Sequence, residues 1–168
     1  MKAPEYKIPL AGSDRAALPG FRPVRAANPS AIIDVSVVLR PRSDDDRSKS
    51  VTEMSSQLPQ ERHYLTREQY AEAHGADSAD INKIARFAAR HGLRVVDTDA
   101  AARTVQLRGT VAALSRAFSV ELTIYRRAGP QAVQRYRGRT GPIYIPAELE
   151  GIVEAVTGLD NRPQAMPR

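Results

Sequence analysis

The chain has 168 residues, 42% of them hydrophobic, enough apolar material for one compact domain with its own core. Twenty-five Lys and Arg against 19 Asp and Glu leave a formal charge of +6, which excludes an acidic activation tail and favours an acidic partner. No cysteine is present, so disulfides, Cys-type zinc sites, iron–sulfur clusters and thiol nucleophiles are excluded, and no run approaches the ~18 apolar residues of a membrane span.

Met1 to Tyr6 lead into no apolar h-region, so no secretory signal is visible. Residues 1–31 are rich in Pro, Ala, Gly and Arg and show no sustained period, which predicts an extended N-terminal arm. Ile33, Val35, Val37 and Leu39 alternate with Asp34, Ser36, Val38 and Arg40, a half-buried strand stopped by Pro41. Residues 42–62 form a long polar connection, with a short helical turn placed at 51–58.

Thr66 and Gln69 have capping-box spacing for a short helix ending near His74 and Gly75. Asp77 or Ser78 caps a second helix, whose apolar stripe is Ile81, Ile84, Ala85 and Ala88 and whose stop is Gly92. A strand begins at Leu93, and another over 103–108 alternates Val105 and Leu107 with Thr104, Gln106 and Arg108. Gly109-Thr110 opens a third helix with Val111, Leu114 and Phe118 on one side. The following strand is read with Val120, Leu122 and Ile124 inward and Glu121, Thr123 and Tyr125 outward.

The resulting order, β-α(α)-β-β-α-β, predicts an α+β, ferredoxin-like antiparallel sheet with its helices on one face. Beyond it, residues 142–146 read as a small hairpin. Leu149, Ile152, Val153 and Val156 give a last helix its stripe, ended by Gly158, and an extended tail follows. Domain limits follow from this: an arm over 1–31, a domain over 32–158, and a C-terminal linker over 159–168.

Catalytic chemistry is missing from this inventory. His63, His74 and His91 form no i, i+4 metal pair, and there is no HExxH, GxSxG, Walker A or GxGxxG motif. Asp44-Asp45-Asp46 lacks the spaced ligands and closing Glu of an EF-hand and reads as a solvated charge run. A base, a nucleophile and oriented donors cannot be assembled, so no catalytic, cofactor-binding or metal-binding residue is assigned. His74 and His91 stand near helix C-termini, where imidazolium is favoured, and are the pH-sensing candidates.

A basic ferredoxin-like module that binds nucleic acid is the alternative function. The central strand over 104–108 carries no aromatic on which a base could stack, which argues against it.

The C-terminal half is more specific. Tyr136-Arg137-Gly138-Arg139-Thr140-Gly141-Pro142-Ile143-Tyr144-Ile145-Pro146-Ala147-Glu148-Leu149, then Val156-Thr157-Gly158-Leu159-Asp160-Asn161-Arg162-Pro163, resembles the end of the activation domain of the sedolisin/kumamolisin peptidases. Leu65-Thr66-Arg67-Glu68-Gln69-Tyr70, His91-Gly92-Leu93-Arg94-Val95 and Ala117-Phe118-Ser119-Val120-Glu121-Leu122 are similar to that family's upstream blocks, in the same order. The resemblance implies a non-catalytic propeptide, an intramolecular chaperone and active-site inhibitor removed by autoprocessing. It implies an acid-acting, extracellular parent whose Ser-Glu-Asp set and calcium site lie on a catalytic domain, the partner in cis or in trans. None of those residues has a counterpart in this chain, which needs no cofactor and no membrane.

Given that role, a compact domain with local contacts folds first and offers the solvent side of its sheet as a template, so Asp34, Ser36, Thr123 and Tyr125 are interface candidates. Charge is densest in Arg126-Arg127 and 135–139, which adds Arg137 and Arg139. Leu159, Asp160, Asn161, Arg162 and Pro163 have the extended character of a segment held in a protease cleft by main-chain hydrogen bonds.

Overall fold

The computed structural model describes residues 5–42, 66–129 and 134–162. The helical turn placed at 51–58, His63, the Asp44–Asp46 run and Pro163 lie outside the described residues.

Strand β1 is Lys7–Pro9, β2 Phe21–Ala26 and β3 Ile32–Leu39. Helices α1 (Arg67–His74) and α2 (Ser78–Arg90) precede β4 (Arg94–Asp99) and β5 (Thr104–Thr110). Helix α3 (Val111–Phe118) is followed by β6 (Thr123–Arg127), β7 (Arg135–Gly138), β8 (Tyr144–Pro146), a 3₁₀ turn (Ala147–Leu149) and β9 (Val153–Thr157). The main sheet has four strands in the order β4-β5-β3-β9, all antiparallel. This is the expected ferredoxin-like α+β arrangement.

The helix ends form as their residues dictate. Thr66 and Gln69 make both bonds of a capping box, Asp77 accepts from Ala79 N–H, and Thr110 accepts from Ala113 N–H. At the end of α2, Leu93 N–H reaches Ala88 C=O at 2.8 Å and Gly92 N–H reaches Ala89 C=O at 3.3 Å, a Schellman stop. Gly92 takes φ +67° there, a conformation open to glycine at no steric cost. Ile84, Phe87 and Ala88 of α2 join Val111, Leu114, Ala117 and Phe118 of α3 and Val35, Val37, Leu39, Val105 and Leu107 of the sheet in one core.

Two expectations are corrected at the C-terminal end. The stripe Leu149, Ile152, Val153 and Val156 belongs to a 3₁₀ turn and strand β9, not to a helix. Gly151 at φ +69° breaks any helix, and β-branched Ile152, Val153, Val156 and Thr157 favour extended backbone. The register of β9 against β3 slips between Val38 and Leu39, so Val153 and Val156, three residues apart, both face the core. That bulge reproduces in a strand the spacing expected of a helix.

Strand β9 therefore fills the fourth place in the sheet. The strand near 120–125, expected there, is displaced: β6 forms a second, three-stranded sheet, β2-β6-β7. The hairpin expected over 142–146 is absent, since β8 pairs with β1 instead.

The arm is extended but is stitched into the body through β1 and β2. Lys7 donates to the carbonyls of Arg116 and Ala117 at the C-terminus of α3, and Arg139, itself 4% exposed, donates to Ser13 C=O at 2.7 Å and to Gly141 C=O. Folding is consequently not local: Lys7 stands opposite Pro146, and Ser36 opposite Thr157.

Leu159 is 1% exposed and belongs to the main core. Leu159→Ala should lower the unfolding free energy by about 2–5 kcal/mol, measured by urea titration; an unchanged midpoint would place the side chain outside the core.

Candidate functional site

Direct pairing puts opposed residues of antiparallel strands on the same face. Asp34, Ser36 and Val38 of β3 stand opposite Arg108, Gln106 and Thr104 of β5, with Thr157 and Ala155 of β9 on the other flank. The other side of the sheet carries Val35, Val37, Val105 and Leu107, packed against α2 and α3. The outer face is thus polar, and it holds no aromatic on β3 or β5.

Its central feature is an ion pair. Arg108 Nε donates to Asp34 Oδ1 at 2.7 Å and its NH2 group to Oδ2 at 2.8 Å, with both side chains about half exposed. The Arg108 hydrogen bonds hold the Asp34 carboxyl below the usual carboxylate range, against a smaller opposing effect of desolvation. The bidentate geometry keeps both groups charged and leaves the outer edges of each available to a partner.

A strap follows β9. Gly158 lies so close to β3 that a Cβ would sit 2.6 Å from Asp34 C=O, and its φ is +93°. Arg137 Nε donates to Leu159 C=O and its NH2 group to Gly158 C=O, each at 3.0 Å. Asn161 N–H donates to Arg137 C=O at 2.9 Å, and Arg137 N–H returns a bond to Asn161 Oδ1. Arg162 pairs with Asp160, donates to Ala16 C=O at 2.9 Å and lies over the Tyr136 ring at 5.5 Å.

The cleft assignment for 159–162 is therefore corrected. Leu159, Asp160, Asn161 and Arg162 are docked on the body of their own domain, because the buried Leu159 side chain and the Arg137 clamp outweigh the extended character of the sequence. The outward reading of Tyr125 is corrected as well. Its ring is 6% exposed and stacks on Tyr136, with centroids 5.0 Å apart, because β6 turns its opposite face to solvent. Arg139 is buried and spent on carbonyls, Arg137 is committed to the strap, and Thr123 lies half-buried in the second sheet. Of the interface candidates, the structure brings only Asp34 and Ser36 together on the open face.

Both histidines end helices, as expected. His74 is buried against Tyr70, with ring centroids 4.6 Å apart and Nδ1 unpaired. His91 Nε2 lies 2.9 Å from Glu5 Oε2, and Arg90 pairs with both Glu5 and Glu148. Sequence reasoning missed Arg108, Glu5 and Lys7. Arg108 alternates outward as Asp34 does, a signal present in both strands, whereas nothing local marks Glu5 or Lys7 as long-range partners.

A family model described as the pro-kumamolisin activation domain matches residues 19–162. The chain belongs to this family. It is 38% identical over 135 residues to kumamolisin from Bacillus sp. (strain MN-32), covering 80% of this chain and 24% of that protein. It is 28% identical over 165 residues to tripeptidyl-peptidase sed5 from Aspergillus fumigatus, covering 92% of this chain and 28% of that protein. The chain thus spans about a quarter of the length of these relatives. As an activation domain it corresponds to a propeptide. Among the described residues no helix is long and apolar enough to cross a membrane, and no group of three or more metal-ligating side chains gathers.

Burial lowers the His91 pKa; the Glu5 hydrogen bond and charge raise it to a smaller extent, and Lys7 and Arg90 lower it further. A depressed imidazole pKa makes the fold more stable above the ordinary histidine value of 6.5 than below it, the contribution being lost as pH falls through the folded value. Glu5→Gln removes an upward influence, so NMR titration should show the His91 midpoint moving still lower; an upward move would reverse the assigned balance.

Proposed function

We propose that this activation domain is the propeptide of a sedolisin-type serine-carboxyl peptidase, a chaperone and inhibitor of that enzyme's catalytic domain in cis or in trans. The observation that carries the reading is the polar open face of the four-stranded sheet, centred on Asp34 and Arg108, in a chain matched by the activation-domain model. A sheet whose outer face is polar, with no nucleophile and base assembled beside it among the described residues, suits an interface.

The chaperone role follows from topology. A catalytic domain built on a parallel sheet pairs distant residues and folds slowly, and a rigid preformed surface lowers that barrier by ordering part of it. This propeptide has non-local pairings of its own, so it acts as a template only after β9 has closed on β3. Inhibition belongs to the chain following Arg162. The strap fixes where that chain leaves the body, and a tethered extended peptide reaches an effective concentration of ~mM in a neighbouring cleft. Autoprocessing then cuts beyond the strap. Location outside the cell, an acid-acting parent and calcium held by the catalytic domain belong to the same proposal.

Acid supplies a release signal. Asp34 stays ionised below the usual carboxylate range, so the face keeps its charge pair while ordinary carboxylates of the partner become protonated. The partner's carboxylates carry the larger part of that signal, and His91, beside Glu5 of the arm, the second.

The test is co-expression of this chain with a sedolisin-type catalytic domain lacking its own propeptide. A soluble, inhibited complex is expected, with inhibition weakening between pH 7 and pH 3. Ser36→Arg should weaken the inhibition constant by about tenfold or more with an unchanged melting temperature, and truncation after Arg162 should abolish inhibition while leaving the complex intact. Insoluble catalytic domain, or full activity in the presence of excess chain, would overturn the proposal.

A further inference from the structure

The second sheet carries a charge pattern that the first does not explain. In the β2-β6-β7 sheet, Arg22 stands directly opposite Arg126, and Arg126 directly opposite Arg135. The next row on that face is Arg25, Ile124 and Arg137. Five guanidinium groups therefore share one face of three short strands, Arg137 being held by the strap carbonyls of Gly158 and Leu159. The opposite face holds Phe21, Tyr125 and Tyr136, ring against ring.

Like charges directly opposite on neighbouring strands destabilise a sheet. No carboxylate among the described residues pairs with Arg22, Arg25, Arg126, Arg135 or Arg137. Five arginines elsewhere in the molecule are, by contrast, matched: Arg108 by Asp34, Arg103 by Glu154, Arg40 by Asp80, Arg90 by Glu148 and Arg162 by Asp160. Where Arg94 stands opposite Arg108 in the main sheet, Asp34 answers Arg108, whereas the ladder on this face has no such carboxylate among the described residues.

A cavity of about 300 Å³ opens beside it, where Arg25, Arg135 and Arg137 surround an apolar floor that includes Ile124, Ala27 and Val111. From these observations we propose that the arginine face of the β2-β6-β7 sheet docks an acidic segment of a partner polypeptide, with carboxylates on the ladder and an adjacent aliphatic side chain in the cavity.

The chemistry selects this occupant. Guanidinium forks bind carboxylates bidentately, and a partner's charges remove the repulsion across the ladder on binding. The apolar floor needs an aliphatic group beside those carboxylates, which a polypeptide supplies at alternate positions. Nucleic acid would bring phosphates but needs a platform for its bases, and the sheet's aromatics are buried on the other face, Tyr125 at 6% and Tyr136 at 2% exposure. The inference is independent of the propeptide reading, which uses the other sheet, and its test contains no peptidase.

The experiment measures binding to the full chain, by fluorescence anisotropy, of a labelled peptide alternating Glu with Leu, its Gln-for-Leu counterpart, and a thymidine oligonucleotide of matched charge. The Glu-Leu peptide should bind tightest, with affinity falling as salt rises. The triple change Arg22→Gln, Arg126→Gln and Arg135→Gln should weaken that binding by about tenfold or more, while Arg86→Gln, on the remote α2, should leave it unchanged. The same triple variant should melt no lower than the parent chain, because it removes like-charge contacts, so lost binding cannot be ascribed to unfolding. Equal affinity of parent and triple variant, or tighter binding of the oligonucleotide than of the peptide, would overturn the proposal. Tighter peptide binding after Asp44→Asn, Asp45→Asn and Asp46→Asn together would assign the face to the chain's own acidic run, and would equally overturn it.

Discussion

The antiparallel pairing of β9 with the edge of β3 sets Thr157 opposite Ser36, and the remaining architecture depends on this closure. It completes the four-stranded sheet and brings Val153 and Val156 onto the helices. It also leads Gly158 across the β3 backbone with no room for a side chain, which delivers Leu159 to the core. With β9 occupying the edge of β3, β6 pairs instead with the arm strand β2 and with β7 in a sheet of its own. The hydrogen bonds of Arg137 and Arg139 to backbone carbonyls then lock the strap and the arm to that second sheet. Burial of these two guanidinium groups pulls their pKa values down, a cost offset by carbonyl groups that would otherwise lack partners.

Local signals were legible wherever the structure is decided locally. The caps at Thr66, Asp77 and Thr110, the stop at Gly92 and the alternation of β3 and β5 all follow from residues within one turn or one strand of each other. The family blocks, too, lie in the chain as contiguous runs. What could not be read was anything set by a bulge or by distant pairing. A bulged strand with inward residues three apart is indistinguishable by period from a helix, which is why residues 149–156 misled. Tyr125 sits in a clear alternation, yet which side faces inward depends on the sheet that β6 joins. The strap was read as free because Leu159 is a single apolar residue among polar ones, and its pocket is built from elements far earlier in the chain.

The two sheets divide the electrostatics between them. In the larger one, opposite charges answer each other within the sheet, so its surface offers directional hydrogen bonds with little net field. The smaller sheet concentrates one sign of charge and leaves its aromatic side to stabilise the body. The formal charge of +6 is therefore not spread evenly, and the composition alone gives no hint of this partition. A surface of paired charges favours specificity of fit, whereas a single-sign surface favours rapid encounter.

The strap has a consequence for what proteolysis leaves behind. Among the described residues, every strand pairing and the Leu159 anchor lie at or before Arg162, so a nick farther along removes no described part of the core. Under the proposed propeptide role, the cut domain keeps its shape and its grip. Liberation of the catalytic domain then awaits a separate dissociation or destruction of an intact body, and two clocks, one for scission and one for departure, run in series.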